Sequence, residues 1–236
     1  MTGVRRTANR STGADLMKYG GRIAAVSRSG APDPFADLIV LRLRMNGVNG
    51  STTFTDSSSS ALTMTAGGNA QISTTQSKEG GSSGYFNNSS GTFLTASSSV
   101  SFSGSYTAEA WAYPTTLGTC GILSGRGYSN GVVMRINGSG QLQFLDTGLT
   151  TYTATGGALT ADVWHHVAIT RDASNQVSAW LNGSKVGDLV VSSGTHSFRQ
   201  VAYAGSGGEE WAGYLDLVRL TAGCRYSSAF TPLSSY

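Results

Sequence analysis

Outside residues 1–30, no stretch of ten positions in this chain repeats apolar residues at a helical period, and that absence narrows the fold more than any motif does. Short alternating runs take the place of helices, and each breaks at a turn signal. Asp37-Leu-Ile-Val-Leu-Arg-Leu-Arg-Met45 sets Leu43 and Met45 against Arg42 and Arg44, then meets Asn46-Gly47 and Asn49-Gly50. Val132-Val-Met-Arg-Ile136, Asn137-Gly-Ser-Gly140 and Gln141-Leu-Gln-Phe-Leu145 read as a hairpin, because Asn-Gly supplies the positive φ that such a connection needs. The same order recurs in Gln176-Val-Ser-Ala-Trp-Leu181, Asn182-Gly183 and Ser184-Lys-Val186, and further strands are expected over residues 107–113, 165–171, 199–204 and 214–220. Strands at this spacing predict an all-β antiparallel sandwich or jelly roll with under a tenth of its residues helical.

The chain of 236 residues is long enough for one such domain with a full core, and its 39% hydrophobic content, spread along the length, argues against extended disorder. No run approaches the roughly 18 apolar residues that span a bilayer, and the charged start has no apolar segment behind it, so neither secretion nor a membrane is expected. The Asn-Gly-Ser triplets at 49, 137 and 182 therefore read as turns rather than glycosylation acceptors. Cys120 and Cys224 have no Cys or His at metal-ligand spacing and are read as free thiols in preference to the disulfide they could also form; no metal site is expected.

Charge is concentrated at one end. Arg5, Arg6, Arg10, Lys18, Arg22 and Arg28 stand against Asp15 alone in residues 1–30, a local charge of +5 in a chain of net +3. These cations lack the interleaved aromatics of a nucleic-acid surface, and the segment has no apolar periodicity with which to pack on its own domain. The expectation is an extended basic arm that lies over neighbouring protein subunits and anchors the protein through those six residues. Ala31-Pro32-Asp33-Pro34 forms an extended connector, which divides the chain into an arm and linker, 1–34, and a domain, 35–236.

Three blocks carry a family resemblance. Tyr106-Thr-Ala-Glu-Ala-Trp-Ala-Tyr-Pro114, then Trp164-His-His-Val-Ala-Ile-Thr-Arg171 with Val177-Ser-Ala-Trp-Leu-Asn-Gly183, then Gly213-Tyr-Leu-Asp-Leu-Val-Arg-Leu220 resemble laminin-G-like, concanavalin A-like jelly-roll domains in order and spacing. The flanking residues 43–56 and 225–232 look like the versions of this domain in tailed-bacteriophage virion proteins. The resemblance covers about residues 37–233 and implies a structural virion protein, assembled in the host cytoplasm, that decorates the capsid and is held by its arm. The alternative it leaves is a tail or head fibre whose jelly roll binds host glycans. It implies other virion proteins as partners, a homo-oligomer with a trimer among the forms open to it, and no cofactor.

Within the resemblance, Trp111, Trp164 and Trp180 are expected in the structural core. Glu109, Trp111 and Tyr113 alternate with Ala108, Ala110 and Ala112, so one face of that strand carries the large groups and the other only methyls. Tyr128, Tyr152 and Trp211, in or near glycine-rich loops, are the candidate sugar platforms. His165 and His166 point to opposite faces and cannot share one ligand. No catalytic residues are expected: retaining glycosidases need two carboxylates on one face, whereas Glu209 and Glu210 are adjacent and Glu109 and Asp216 each stand alone.

Overall fold

Alternation of apolar and polar residues survives in space as two layers. A computed structural model describes residues 33–234, which lie in the second of two units into which the chain divides, Asp33–Tyr236. The basic arm residues Arg5, Arg6, Arg10, Lys18, Arg22 and Arg28 lie outside the described residues. Among those described, one 3-10 turn, Ala36–Leu38, precedes fifteen strands: β1 (Ile39–Leu43), β2 (Met64–Ala66), β3 (Gln71–Ser73), β4 (Ser83–Asn87), β5 (Leu94–Phe102), β6 (Tyr106–Pro114), β7 (Cys120–Ser124), β8 (Val133–Ile136), β9 (Leu142–Leu145), β10 (Thr151–Thr153), β11 (His165–Arg171), β12 (Gln176–Leu181), β13 (Ser184–Val191), β14 (His196–Val201) and β15 (Ala212–Thr221). The larger sheet runs β13-β12-β11-β6-β15-β4-β3, with β1 also paired to β15; the smaller runs β10-β9-β8-β7-β14-β5-β2. The two form an antiparallel β-sandwich, as the turn pattern predicts.

Local turn chemistry sets the hairpins. β12 and β13 are joined through Asn182 and Gly183, both at positive φ, 51° and 83°. The β8–β9 connection differs from expectation: Gly140, not Asn137, takes positive φ, 75°. Asn137 instead uses its side-chain oxygen to accept the N–H groups of Ser139 and Gln141, each at 3.0 Å. β15 carries an irregularity that shapes the larger sheet. Leu217 sits at φ 48°, and the register with β6 shifts between Asp216 and Arg219. A left-handed residue with a Cβ costs about 1–2 kcal/mol, and here the bulge divides β15 into two halves. Residues 212–215 pair with β4, and residues 218–221 with β1.

The methyl face of β6 points into the sandwich. Ala108, Ala110 and Ala112 are fully buried in the main core, where Phe102, Ile122, Phe144 and Phe198 from the smaller sheet supply the bulk. Trp111 and Trp180 are buried, as expected of structural residues, but on the outer face of the larger sheet rather than between the two sheets. Their cover is the chain's own C-terminal segment. Trp111 donates its indole N–H to the Leu233 carbonyl at 2.8 Å, and Trp180 packs with Ala168, Tyr226 and Phe230. Tyr226 and Phe230 stack with centroids 3.5 Å apart.

A charged cluster lies under that cover. Glu109 is fully buried and accepts hydrogen bonds from Arg225 and the Tyr226 hydroxyl, and its Oε2 lies 3.2 Å from His166 Nε2. Arg219, its direct cross-strand neighbour, reaches Asp33 at 2.7 Å. Burial pushes the Glu109 carboxyl up, but the His166 hydrogen bond and the Arg225 charge hold it below the usual carboxylate range.

Candidate functional site

Four aromatic side chains form a row on the part of this outer face that the C-terminal segment leaves open. Tyr113 on β6 stands directly opposite Tyr214 on β15, Tyr214 opposite Tyr85 on β4, and Tyr85 opposite Gln71 on β3. His165 pairs with Ala112, so Trp164, one residue before β11, falls beside Tyr113. The row therefore runs across the strands, and its steps follow the strand spacing of roughly 4.8 Å. Ring centroids are 5.5 Å apart from Trp164 to Tyr113, 5.8 Å from Tyr113 to Tyr214 and 5.0 Å from Tyr214 to Tyr85. All four rings are half-buried.

Each ring is held by its own element. Alternation puts Ala112, Phe86 and Leu215 into the core and so turns Tyr113, Tyr85 and Tyr214 outward. Trp164 is aimed by the preceding turn, where Asp162 adopts φ 60° and donates its N–H to the Pro114 carbonyl at 2.8 Å. That bond ties the turn to the end of β6. The Tyr214 hydroxyl is pushed above its ordinary pKa, by burial first and then by Tyr85, so it remains a protonated donor at neutral pH.

The Tyr85 end of the row opens into a cleft of about 330 Å³ lined by Thr52, Asn69, Gln71 and Asn87 as well as Tyr85. The side chains along the row and cleft carry hydroxyl, amide and indole groups but no charge.

The sequence-derived candidates are placed differently. Trp211 is completely buried in the main core, so it has no ring face to offer a sugar, and its assignment as a platform is corrected. The glycines that suggested a loop, Gly205, Gly207 and Gly208, end before it. Trp164, expected in the core, is instead half-exposed at one end of the row. Tyr152 packs against the core and its hydroxyl meets Asp146 at 3.3 Å. Tyr128 lies under the Arg199 guanidinium, 4.4 Å from the ring centroid. The three do not form one surface with each other or with the row.

The smaller sheet's outer face has a polar ladder. Arg126 and Arg135 both bind Glu209, at 3.3 and 2.8 Å, and Arg135 continues through Gln143 to Thr153. His165 lies on the inward side of β11 and His166 on the outward side, as their alternation requires. Among the described residues no three His, Cys, Asp or Glu side chains gather at metal-binding distance. Both cysteines are free, and burial pushes the Cys120 thiol up to about 12. Asp216 is buried and accepts the backbone N–H groups of Lys78 and Glu79; burial raises its pKa to about 7.

Two antiparallel sheets packed face to face, one presenting a row of aromatics on its outer face, define a jelly-roll domain. Residues 86–228 match the family model described as the concanavalin A-like lectin/glucanases superfamily. The chain belongs to that family. No curated protein matches it in sequence, but several solved structures share the fold. The fourth domain of AbnA, an extracellular arabinanase from Geobacillus stearothermophilus solved with arabinotriose, is 16% identical with a TM-score of 0.59 over 79% of this chain and 93% of that one. The binding domain of paraclostridial mosquitocidal protein 1 is 14% identical, with a TM-score of 0.57, over 80% of this chain. The receptor-binding domain of botulinum neurotoxin D is 15% identical, with a TM-score of 0.54, over 80%. This chain spans 50% of each of the two toxin domains.

Proposed function

We infer that this domain binds carbohydrate, with the ligand lying along Trp164, Tyr113, Tyr214 and Tyr85. The observation that carries the reading is the row itself: three half-exposed tyrosines in register on neighbouring strands and Trp164 at the entrance to the next, ending at an amide-lined cleft. Aromatic faces suit the apolar C–H faces of sugars, while phenol and amide groups suit their hydroxyls. The arabinotriose held by the arabinanase domain is consistent with sugar binding on this fold, and that likeness is one of fold alone.

The reading is non-catalytic. The carboxylates a hydrolase would need are engaged elsewhere, Glu109 beneath the C-terminal segment and Asp216 on the Lys78–Glu79 backbone. The virion setting rests on residues 43–56 and 225–232, and the anchoring arm on residues outside those described. Within that setting, an open aromatic row favours a receptor-binding fibre over a capsid decoration, which needs no such surface.

Calorimetry against a panel of neutral oligosaccharides, using wild type, Tyr214→Ala and Trp164→Ala, tests the reading. Binding by the wild type that falls about tenfold or more in both variants, with folding intact, is the expected result. A wild type that binds none of the panel, or variants that bind unchanged, would overturn it.

A further inference from the structure

The geometry of the row and its cleft points to a ligand class: we propose that the site takes a single, neutral, soluble glycan chain of about four sugar units, laid across the strands with one end in the cleft. This rests on the carbohydrate reading above and adds length, charge and physical form to it.

Length follows from the row's construction. Its ring centroids advance by 5.0–5.8 Å per step, close to the advance of an extended glycan chain per sugar. Four rings therefore offer one contact per sugar to about four consecutive units. Beyond Tyr85 the sheet has only β3, where Gln71 closes the row. At the other end the sheet continues through β12 and β13, but among the described residues Trp164 has no ring neighbour beyond Tyr113, so the run of aromatic contacts ends on both sides.

Physical form follows from the ring angles. Neighbouring planes are turned by 61° between Trp164 and Tyr113, 79° between Tyr113 and Tyr214, and 40° between Tyr214 and Tyr85. A flat crystalline polysaccharide surface needs coplanar rings and would touch this row only at edges. A single chain can rotate about each glycosidic bond and offer successive sugars at different tilts. The rings also brace one another through these edge contacts, so their orientation is set before a ligand arrives.

Charge follows from what the lining lacks. Trp164, Tyr113, Tyr214, Tyr85, Gln71 and Asn87 include no cation, so an acidic sugar would lose hydration without a counter-charge. Lys78, on the same sheet face, is already placed over the Trp111 ring at 3.7 Å. The cleft instead presents amides. Among the described residues the side chains of Asn69 and Gln71 make no hydrogen bond within the protein, and Asn87 only accepts one, from the Ser89 N–H at 3.3 Å. These unspent donors and acceptors match the paired hydroxyls of a terminal sugar.

The test uses three sets of probes with the full chain. Linear arabino-, xylo-, cello- and malto-oligosaccharides from dimer to hexamer are titrated by calorimetry; oligogalacturonides of the same lengths form the acidic set; crystalline cellulose and chitin are used in sedimentation. In at least one neutral series, affinity should rise to the tetramer and level off, and Trp164→Ala, at the end away from the cleft, should cut the dimer-to-tetramer gain about tenfold. Affinity independent of length, preference for the acidic set, or retention on crystalline polymer without soluble binding would overturn the proposal while leaving carbohydrate binding standing. Failure to bind any probe would bring down both.

Discussion

Tyr214 faces Tyr113 directly across the β15–β6 pairing, with ring centroids 5.8 Å apart and planes turned by 79°. An edge-to-face pair of this kind contributes about 0.5–1.5 kcal/mol beyond its buried area. In this position it stabilises the rotamers of two rings of the outer-face row rather than the sandwich interior. The surface is stiff because its parts lean on each other.

Trp164 and Trp211 should respond in opposite ways to truncation. Trp211→Ala removes a fully buried ring and should cost about 3–5 kcal/mol, whereas the half-exposed Trp164→Ala should cost about 1 kcal/mol or less. Urea denaturation of both variants reads the difference directly. Equal losses would mean that the two rings are buried alike in solution.

Glu109→Gln should be among the most damaging single changes on the outer face. It leaves Arg225 and Arg219 buried beside a neutral amide, a loss of about 3–5 kcal/mol. Adding Arg225→Met removes one of the two cations that face the amide and should recover part of that loss, as a double-mutant cycle would record. A purely additive cycle would show that the pair is not coupled. Because the folded carboxyl is held low, its contribution is present above the unfolded value near 4.5 and disappears as pH falls below it.

A second pH effect has another source and another window. His196 lies against Tyr106 and Phe144, with Nδ1 3.1 Å from the Tyr106 hydroxyl. Burial first, and then the Arg171 charge, lower its pKa from 6.5 to about 4. The unfolded chain therefore takes up a proton below 6.5 that the folded one refuses, and stability falls as pH drops from 6.5 toward 4. Between pH 6.5 and about 5, above the Glu109 window, the melting temperature of the wild type should drop relative to that of His196→Gln as pH falls; buried Asp216, raised to about 7, contributes a slope of opposite sign to both proteins and cancels in the comparison. Parallel curves would assign the slope to other groups.

How much of this could be read beforehand depended on what each residue's neighbours were. Strands with clear alternation, such as Gln176–Leu181 and His165–Arg171, were legible because their apolar period is local. β5 was missed: Leu94–Phe102 is mostly serine and threonine in its middle, its alternation surviving only at the ends. β4 was missed as well: Ser83-Gly-Tyr-Phe-Asn87 sets two aromatics side by side without alternation, and its glycine leaves room beneath Phe54, Phe86 and Met45 rather than adding a periodic signal. The alternation within β6 was legible, yet which face pointed inward was not, since large rings suggest a core and here the methyls supply it. The aromatic row had a related difficulty. Tyr85, Tyr113 and Tyr214 lie far apart in sequence, and only the strand register, with β15 between β6 and β4, makes them neighbours. Trp211 misled because a glycine-rich turn ends three residues before it, at Gly208, and burial resumes by Glu210.

The bond network joining Asp33, Arg219 and Arg225 brings the point where the chain enters this domain next to the start of its last segment, with Asp33 Oδ2 3.4 Å from Arg225. A domain fastened this way resembles a pendant with both cords knotted at one eyelet. A pull on the C-terminal cord would have to break the Trp111–Leu233 bond and lift Phe230 before it loaded the Glu109 cluster.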